Sequence, residues 1–260
     1  MIIIIEWFIN LTPLTQGIIA TFFTYFLTAL GASCVYFLHT YNQKVLDVMM
    51  GVAAGVMIAA SFWSLLSPAI DICQTLGRNQ FIEPMIGFIS GGIFILVTDY
   101  LIGLKTKINK QSILLTSAMT MHNIPEGMAV GVAFGSLAIN LPGASLIGAT
   151  LLALGIGIQN LPEGICASIP LYNNGMSKHK AFFYGQISGL VEPIFGILGI
   201  LFAITVQNAL PILLSFSAGA MIAVVATELI PSSFKDNKNL ATIGLLIGFS
   251  IMMVLDVALS

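Results

Sequence analysis

Long apolar stretches alternate along the chain with short polar breaks. A helix that spans a bilayer needs about 20 mostly apolar residues, and the sequence contains eight stretches of this kind. Their predicted bounds are 15–38, 45–70, 84–104, 113–139, 144–171, 181–206, 209–230 and 240–259. The pattern therefore predicts an all-α integral membrane protein in which residues 1–260 form a single transmembrane domain of eight spanning helices.

The composition strengthens this interpretation. Of the 260 residues, 57% are hydrophobic and only 8% are charged, against about 25% charged residues in a soluble domain. The net charge of -2 indicates no basic surface for nucleic acid, and the three cysteines form no CxxC pair. The first ten residues have neither a basic segment nor a cleavage pattern, so we expect no signal peptide. The lipid bilayer, in a bacterial cell the inner membrane, is the expected partner of a multi-pass chain.

The basic residues predict how the helices are oriented. Eight of the nine fall in alternate breaks between the predicted spans: Lys44, Lys105, Lys107, Lys110, Lys178, Lys180, Lys235 and Lys238. Only Arg78 falls in a break on the opposite side. Since loops rich in Lys and Arg stay in the cytoplasm, both termini are predicted to lie outside.

Internal similarity indicates an inverted repeat. AGVMIA at 54–59 resembles AGAMIA at 218–223, and GGIFILVTD, ending at Asp99, resembles GFSIMMVLD, ending at Asp256. HNIPEG at 122–127 in the fourth predicted span is followed by QNLPEG at 159–164 in the fifth. The helices of each pair run in opposite directions, which suggests a 3+2+3 arrangement of a kind common in transporters. Chance similarity among apolar helices is the alternative for the two outer pairs.

Three glutamates are predicted to lie at one depth in the membrane. Glu126, Glu163 and Glu192 are 12 to 16 residues from the nearest lysine along their helices. At about 1.5 Å per residue they lie roughly 18–24 Å from the cytoplasmic lysines, near the middle of a core about 30 Å thick. No Arg or Lys is placed at that depth. Because unpaired buried charge is costly, the carboxyl groups should be either protonated or arranged around a cation.

Two further features widen this polar layer. In each motif two polar side chains are four residues apart and share a helix face, and the intervening asparagine lies beside them. The prolines at 125, 162 and 193 are expected to kink their helices and free the carbonyl groups four residues earlier. One imidazole with carboxylate and amide oxygens suits Zn²⁺, Fe²⁺ or Mn²⁺, whereas oxygen alone suits Mg²⁺ or Ca²⁺. The asparagines are alternatively ordinary contacts between helices.

Together HNIPEG, QNLPEG and GLVEP at 189–193 resemble the motifs of the ZIP (Zrt-, Irt-like) family of divalent metal transporters, and within it the bacterial branch of ZupT and GufA. The resemblance extends along nearly the whole chain. It implies a binuclear metal site, a homodimer, and alternating access by an elevator-like or rocking motion. The ligands that it implies are His122, Asn123, Glu126, Gln159, Asn160, Glu163 and Glu192.

The function that follows is import of a divalent transition metal into the cytoplasm, with zinc as first candidate beside iron, manganese, cobalt and cadmium. The metal is then the transported substrate, and no catalytic cofactor is expected. Two features depart from the family pattern. The segment KTKINKQS at 105–112 replaces a long His-rich loop, and Gln159 stands where some branches have histidine.

Other functions remain open at this stage. An intramembrane metalloenzyme would need a general base, and the chain has no HExxH motif. A proton or cation pathway without metal would use the same carboxylates.

Four residues near the ends of the helices have two interpretations each. Glu228, with His179 nearby, is a candidate for the cytoplasmic exit, and the alternative for Glu228 is an interfacial charge that reaches water. Asp71 and Asp256 are candidates for the outer entrance, and the alternative is that they only mark the ends of their helices.

Overall fold

The computed structural model describes residues 2–37, 42–105, 111–141, 144–173, 175–205 and 207–259, and within them every regular element is helical. The prediction of an all-α protein is confirmed. The α-helices are α1 (Ile2–Ile9), α2 (Pro13–Ser33), α3 (Gln43–Ala60), α4 (Ser67–Thr75), α5 (Ile82–Lys105), α6 (Gln111–Ala138), α7 (Leu146–Asn173), α8 (Lys178–Ile187), α9 (Val191–Thr205), α10 (Leu210–Val224) and α11 (Ile230–Leu259). Two π-helical turns, Ser61–Leu66 and Val225–Leu229, join α3 to α4 and α10 to α11.

Six helical stretches among the described residues are long and apolar enough to cross a membrane. They are Pro13–Tyr36, Gln43–Thr75, Ile82–Leu101, Leu146–Ile169, Lys178–Thr205 and Leu210–Val257. In Ile82–Leu101 only 22% of the most apolar 18 residues are buried. This stretch belongs to α5, on which Ile86, Ile89 and Ile93 are exposed. Apolar surface of this extent is stable in contact with lipid. The chain is therefore a multi-pass membrane protein.

The helices differ from the predicted spans in three places. A short helix, α1, precedes the first span and was not predicted. The stretch 181–206, predicted as one helix, is interrupted at 188–190, where α8 ends and α9 begins. The stretches 209–230 and 240–259 are connected by helical residues and not by a loop, and two helices meet at a kink at Asn237, whose angles are non-helical (φ -129°, ψ 59°). By contrast, α6 and α7 remain helical through Pro125 and Pro162.

Glycines bring the helices into backbone contact at four interfaces. A methyl group added to any of these glycines would overlap the backbone of the neighbouring helix, so no larger residue fits without a shift. Close approach at small residues is the usual way in which membrane helices pack. The four pairs are α2 with α7 (Gly31 against Leu161), α3 with α11 (Gly55 against Leu245), α5 with α10 (Gly91 against Phe216) and α6 with α9 (Gly131 against Gly196).

Both π-helical turns occur at corresponding points of the repeated sequence. The turn Ser61–Leu66 begins two residues after AGVMIA, and Val225–Leu229 begins two residues after AGAMIA. A π-helical turn inside a helix is rare and frequently lies near a functional site. The similarity between these two segments therefore extends from sequence to an uncommon local geometry.

Candidate metal-binding site

Three glutamates on three different helices form the centre of the candidate site. Glu126 lies on α6, Glu163 on α7 and Glu192 in the first turn of α9, and their side chains are 0%, 3% and 0% exposed. Each carboxyl group lies within electrostatic range of the other two. The interruption at 188–190 places Glu192 at a helix N-terminus, where the aligned peptide dipoles favour negative charge. The three carboxylates of the predicted layer thus lie in one buried region of the structure.

Two neighbouring amides on α7 bind two of these carboxylates. Nε2 of Gln159 donates to Oε1 of Glu126 at 2.6 Å. Nδ2 of Asn160 donates to Oε2 of Glu192 at 2.8 Å and to the carbonyl oxygen of Thr24 at 3.2 Å. If the Asn160 amide were flipped, its oxygen would face two acceptors, the Glu192 carboxylate and the Thr24 carbonyl. These two contacts therefore determine the orientation of the amide. The amide oxygens of both residues are consequently not used in these bonds.

The layer contains a concentration of unused hydrogen-bond acceptors. Most buried polar atoms in native proteins have a hydrogen-bond partner. Here six buried oxygen atoms have none among the described residues: Asn123 Oδ1, Glu126 Oε2, Gln159 Oε1, Asn160 Oδ1, and Oε1 and Oε2 of Glu163. Carboxylate and amide oxygens grouped in this way are suitable ligands for a divalent cation.

The seventh predicted ligand lies partly outside the described region. The backbone of His122 belongs to α6, one turn before Glu126, but its side chain is not among those that the structure describes. Among the described side chains, no three His, Cys, Asp or Glu residues are arranged tightly enough to hold a metal ion. The carboxylates of Glu126 and Glu192 are instead held by amide and hydroxyl donors.

Two threonines of α2, Thr24 and Thr28, are functional candidates that sequence reasoning missed, and Thr21 lies on the same face of the helix without contacting a carboxylate of the layer. Thr21, Thr24 and Thr28 are buried, being 0%, 0% and 1% exposed. Oγ1 of Thr28 donates to Oε1 of Glu192 at 3.1 Å, and the Thr24 side chain also lies beside Glu192. The spacing of three and four residues, which puts all three on one face of an apolar helix, was the available signal.

One buried carboxylate also escaped the sequence analysis. Asp47, near the start of α3, is fully buried. Its Oδ1 accepts a hydrogen bond from Gln43 at 2.7 Å, and its Oδ2 accepts one from Asn237 at 2.7 Å. Both oxygens are thereby satisfied, so this cluster serves to join α3 to the non-helical residue of α11.

The two aspartates that were candidates for an entrance line one cavity. This acidic cavity has a volume of about 400 Å³ and lies where α6 and α11 end and α7 begins. Asp71 is exposed at its rim, whereas Asp256 is 6% exposed and its Oδ1 accepts a hydrogen bond from Ser64 at 2.7 Å. The serine hydroxyls around it were not predicted: Ser64, Ser67, Ser136 and Ser145.

The two candidates for the opposite end have different surroundings. Glu228 lies in the π-helical turn after α10, is half-buried, and is close to Asp99 on α5. Nδ1 of His179 is 3.1 Å from the Tyr36 hydroxyl, and its ring also packs against the Tyr36 ring. His179 thus joins the start of α8 to the end of the α2 segment.

Several apolar helices around a buried layer of carboxylate and amide oxygens are typical of a multi-pass membrane protein of the transporter class. Residues 104–256 match the family described as ZIP Zinc transporter. Zinc transporter ZIP11 of Xenopus tropicalis is 34% identical over 95% of this chain and 98% of its own length. Zinc transporter GufA of Myxococcus xanthus is 34% identical (94% and 98%), and Zinc transporter ZupT of Salmonella newport 30% (90% and 90%).

This chain belongs to the ZIP zinc transporter family. The resemblance inferred from its motifs is confirmed, with the addition that the animal protein ZIP11 is as similar as the bacterial members. The relatives are named as transporters and not as enzymes, in agreement with the expectation of a transporter.

Proposed function

We propose that this protein carries divalent transition-metal ions, zinc foremost, across the membrane into the cytoplasm. The observation on which this rests is the group of six buried oxygen atoms that have no hydrogen-bond donor among the described residues. Such a group is costly unless something positively charged binds it. The names of the relatives, all zinc transporters, support zinc as the substrate.

The proposed site holds two metal ions bridged by Glu126 and Glu163. Both oxygens of Glu163 and Oε2 of Glu126 lack donors among the described residues, which leaves them available to a metal, and Oε1 of Glu126 keeps a lone pair beside its one hydrogen bond from Gln159. Glu192 and the amide oxygens of Asn123, Gln159 and Asn160 complete the oxygen ligands. The imidazole of His122, four residues before Glu126 on the same helix, supplies the nitrogen that favours a transition metal over Mg²⁺.

The proposed topology has eight crossings within one transmembrane domain and both termini outside. The run Leu210–Val257 has 48 residues, which at about 1.5 Å per residue is more than twice the membrane core. The non-helical residue Asn237, flanked by Lys235 and Lys238, is the natural point for it to turn back. With this run counted as two crossings and α6 as one, the total is eight.

An inverted repeat and alternating access are part of the same proposal. In the proposed repeat α2, α3 and α5 correspond to α9, α10 and α11, and α6 corresponds to α7. Under this correspondence the contact of α3 with α11 is equivalent to the contact of α10 with α5, and the structure has both. The contact of α2 with α7 is likewise equivalent to the contact of α9 with α6. These contacts divide the helices into two groups of four, one with α3, α5, α10 and α11 and the other with α2, α6, α7 and α9. Rocking or sliding of one group against the other would open the site to either side.

The proposed pathway begins at the acidic cavity and ends near Glu228. Ser136 at the cavity is ten residues from Glu126 along α6, a distance of about 15 Å. Asp71 and Asp256 attract cations there, and Glu228, with His179 on the same side, accepts them before release. The family resemblance further supports a homodimer in the cell membrane.

The deciding experiment is uptake of radioactive zinc by proteoliposomes that contain the purified protein. Uptake should be saturable, should exceed that of empty liposomes and should be lost in Glu163→Ala. Glu6→Gln, which changes an exposed carboxylate of α1, is the matched control and should transport normally. A proton current without zinc movement would instead identify a metal-free cation pathway.

A further inference from the structure

Glu192 differs from the other two carboxylates of the layer, because both of its oxygens accept hydrogen bonds. Oε1 accepts from the Thr28 hydroxyl at 3.1 Å and Oε2 accepts from the Asn160 amide at 2.8 Å. Glu126 accepts only at Oε1, and Glu163 accepts at neither oxygen among the described residues. Contacts to both oxygens, from α2 on one side and α7 on the other, restrict rotation of the Glu192 carboxylate.

The hydroxyl of Thr28 donates to Glu192, whereas those of Thr21 and Thr24 donate within α2, although the Thr24 side chain also lies beside Glu192. Thr21 donates to the carbonyl oxygen of Ile18 at 3.0 Å, and Thr24 donates to that of Thr21 at 2.9 Å. Thr28 has its own in-helix acceptor, the Thr24 carbonyl, at a longer 3.4 Å. The shorter contact reaches across to Glu192, so this hydroxyl links α2 to the metal site.

Close packing holds Thr28 at this position. A Cβ added to Gly189 would lie 2.9 Å from Cβ and 3.0 Å from Oγ1 of Thr28, so only glycine lets the segment before α9 approach α2 this closely. Asn160 strengthens the arrangement, because the amide nitrogen that binds Glu192 also binds the Thr24 carbonyl of α2. The link between α2 and Glu192 is therefore built from two independent contacts.

We propose that Thr28 is a positioning residue that orients Glu192 for metal and thereby sets the zinc affinity of the site. The inference rests on the proposed function. A carboxylate oxygen that accepts one hydrogen bond retains a second lone pair for a metal, and a ligand already oriented by hydrogen bonds loses less freedom on binding. Loss of such outer contacts typically weakens metal binding about 10–100-fold.

The test compares three variants in the purified, full-length protein. Thr28→Val keeps the shape and removes the hydroxyl, Thr28→Ser keeps the hydroxyl, and Thr21→Val removes a hydroxyl that bonds only within its own helix. Zinc affinity, measured by competition with a chromogenic chelator, should fall about tenfold or more in Thr28→Val. Thr28→Ser and Thr21→Val should stay within about twofold of the unmodified protein. In liposomes, the KM for zinc should rise in Thr28→Val while the maximal rate changes less.

A double-mutant cycle separates an effect through Glu192 from an effect of packing. In a Glu192→Ala background, Thr28→Val should reduce the residual zinc affinity no further, because its partner is gone. An unchanged affinity in Thr28→Val, an equal loss in Thr28→Ser, or a full additional loss in the Glu192→Ala background would each overturn the inference. If Thr28→Val does not fold, Thr28→Cys, whose thiol is a weak donor, replaces it in the comparison with Thr28→Ser.

The outcome also distinguishes this inference from the proposed function. If the unmodified protein bound no zinc, the proposed function would fail and the inference would fail with it. If the unmodified protein bound and transported zinc while Thr28→Val behaved identically, only the role of Thr28 would be wrong.

Discussion

Nε2 of Gln159 on α7 donates a 2.6 Å hydrogen bond to Oε1 of Glu126 on α6. Gln159 occupies in QNLPEG the position that His122 occupies in HNIPEG, so a residue of one motif binds the glutamate of the other. The two motifs are therefore in direct contact in the structure. Two antiparallel helices each present a polar face, and the faces meet in a buried layer.

The two glutamates of the motifs should be indispensable for transport. If Glu126 and Glu163 bridge two ions, Glu126→Ala and Glu163→Ala should each remove both metal positions. Gln159→Ala and Asn123→Ala should weaken one position and leave residual uptake. The measurements are bound zinc per protein and the initial uptake rate, at equal membrane expression. Near-normal uptake in both glutamate variants would refute the binuclear site.

Metal selectivity should be broad among transition metals. The proposed ligands include one imidazole and no thiolate, a set that discriminates weakly between these ions. Zinc uptake should be reduced by Cd²⁺ and by at least one of Fe²⁺, Mn²⁺ and Co²⁺ in competition assays. Mg²⁺ should compete little, since it loses its water shell reluctantly. Strong competition by Mg²⁺ would indicate a site of oxygen ligands that excludes His122.

Uptake should fall as the pH is lowered on the side to which the site is open. Carboxylates bind metal only in the deprotonated form, so protons compete directly with zinc. The loss should appear as a higher KM for zinc, and excess zinc should restore most of the rate. The measurement is the initial rate against pH at a fixed free zinc concentration. A rate that rises steadily with acidity would contradict proton competition and favour proton-coupled entry.

Neighbouring glycines of α5 should respond differently to a methyl group. A Cβ at Gly91 would overlap the carbonyl oxygen of Phe216, whereas at Gly92 its nearest neighbour lies at 3.6 Å. Gly91→Ala should therefore lower the free energy of unfolding by about 1–3 kcal/mol, and Gly92→Ala should have little effect. Thermal unfolding in detergent tests the pair. Equal melting temperatures would mean that α5 and α10 do not pack as closely as described.

The topology can be tested by labelling single cysteines in a cysteine-free background. Cysteines introduced between 105 and 112 should react with impermeant reagents only from the cytoplasmic side, and those between 75 and 80 only from outside. The reason is the distribution of lysines, which keeps their loops in the cytoplasm. Reaction of both loops from the same side would also refute the inverted repeat.

The sequence by itself determines that this chain is helical, that it lies in a membrane and which residues concentrate its polar chemistry. These properties are local: hydrophobic runs give helix lengths, and the spacing of Glu126 and Glu163 in their motifs places polar groups on one face. The glutamate layer was predicted for the same reason, because depth follows from counting residues along a helix. A kink near 189 was expected from Pro193, whereas the complete separation of α8 from α9 at 188–190 was not predicted.

Only the tertiary structure decided which side chains on other helices contact the carboxylates of this layer. Thr28 and Glu192 are 164 residues apart, and nothing in the composition of α2 distinguishes Thr28 from Thr21. The choice depends on the close approach at Gly189, which directs one hydroxyl across to another helix. The bond from Asn237 to Asp47, 190 residues away, was decided in the same manner. Hydrogen bonds span only about 3 Å, so they depend on packing that a linear pattern does not contain.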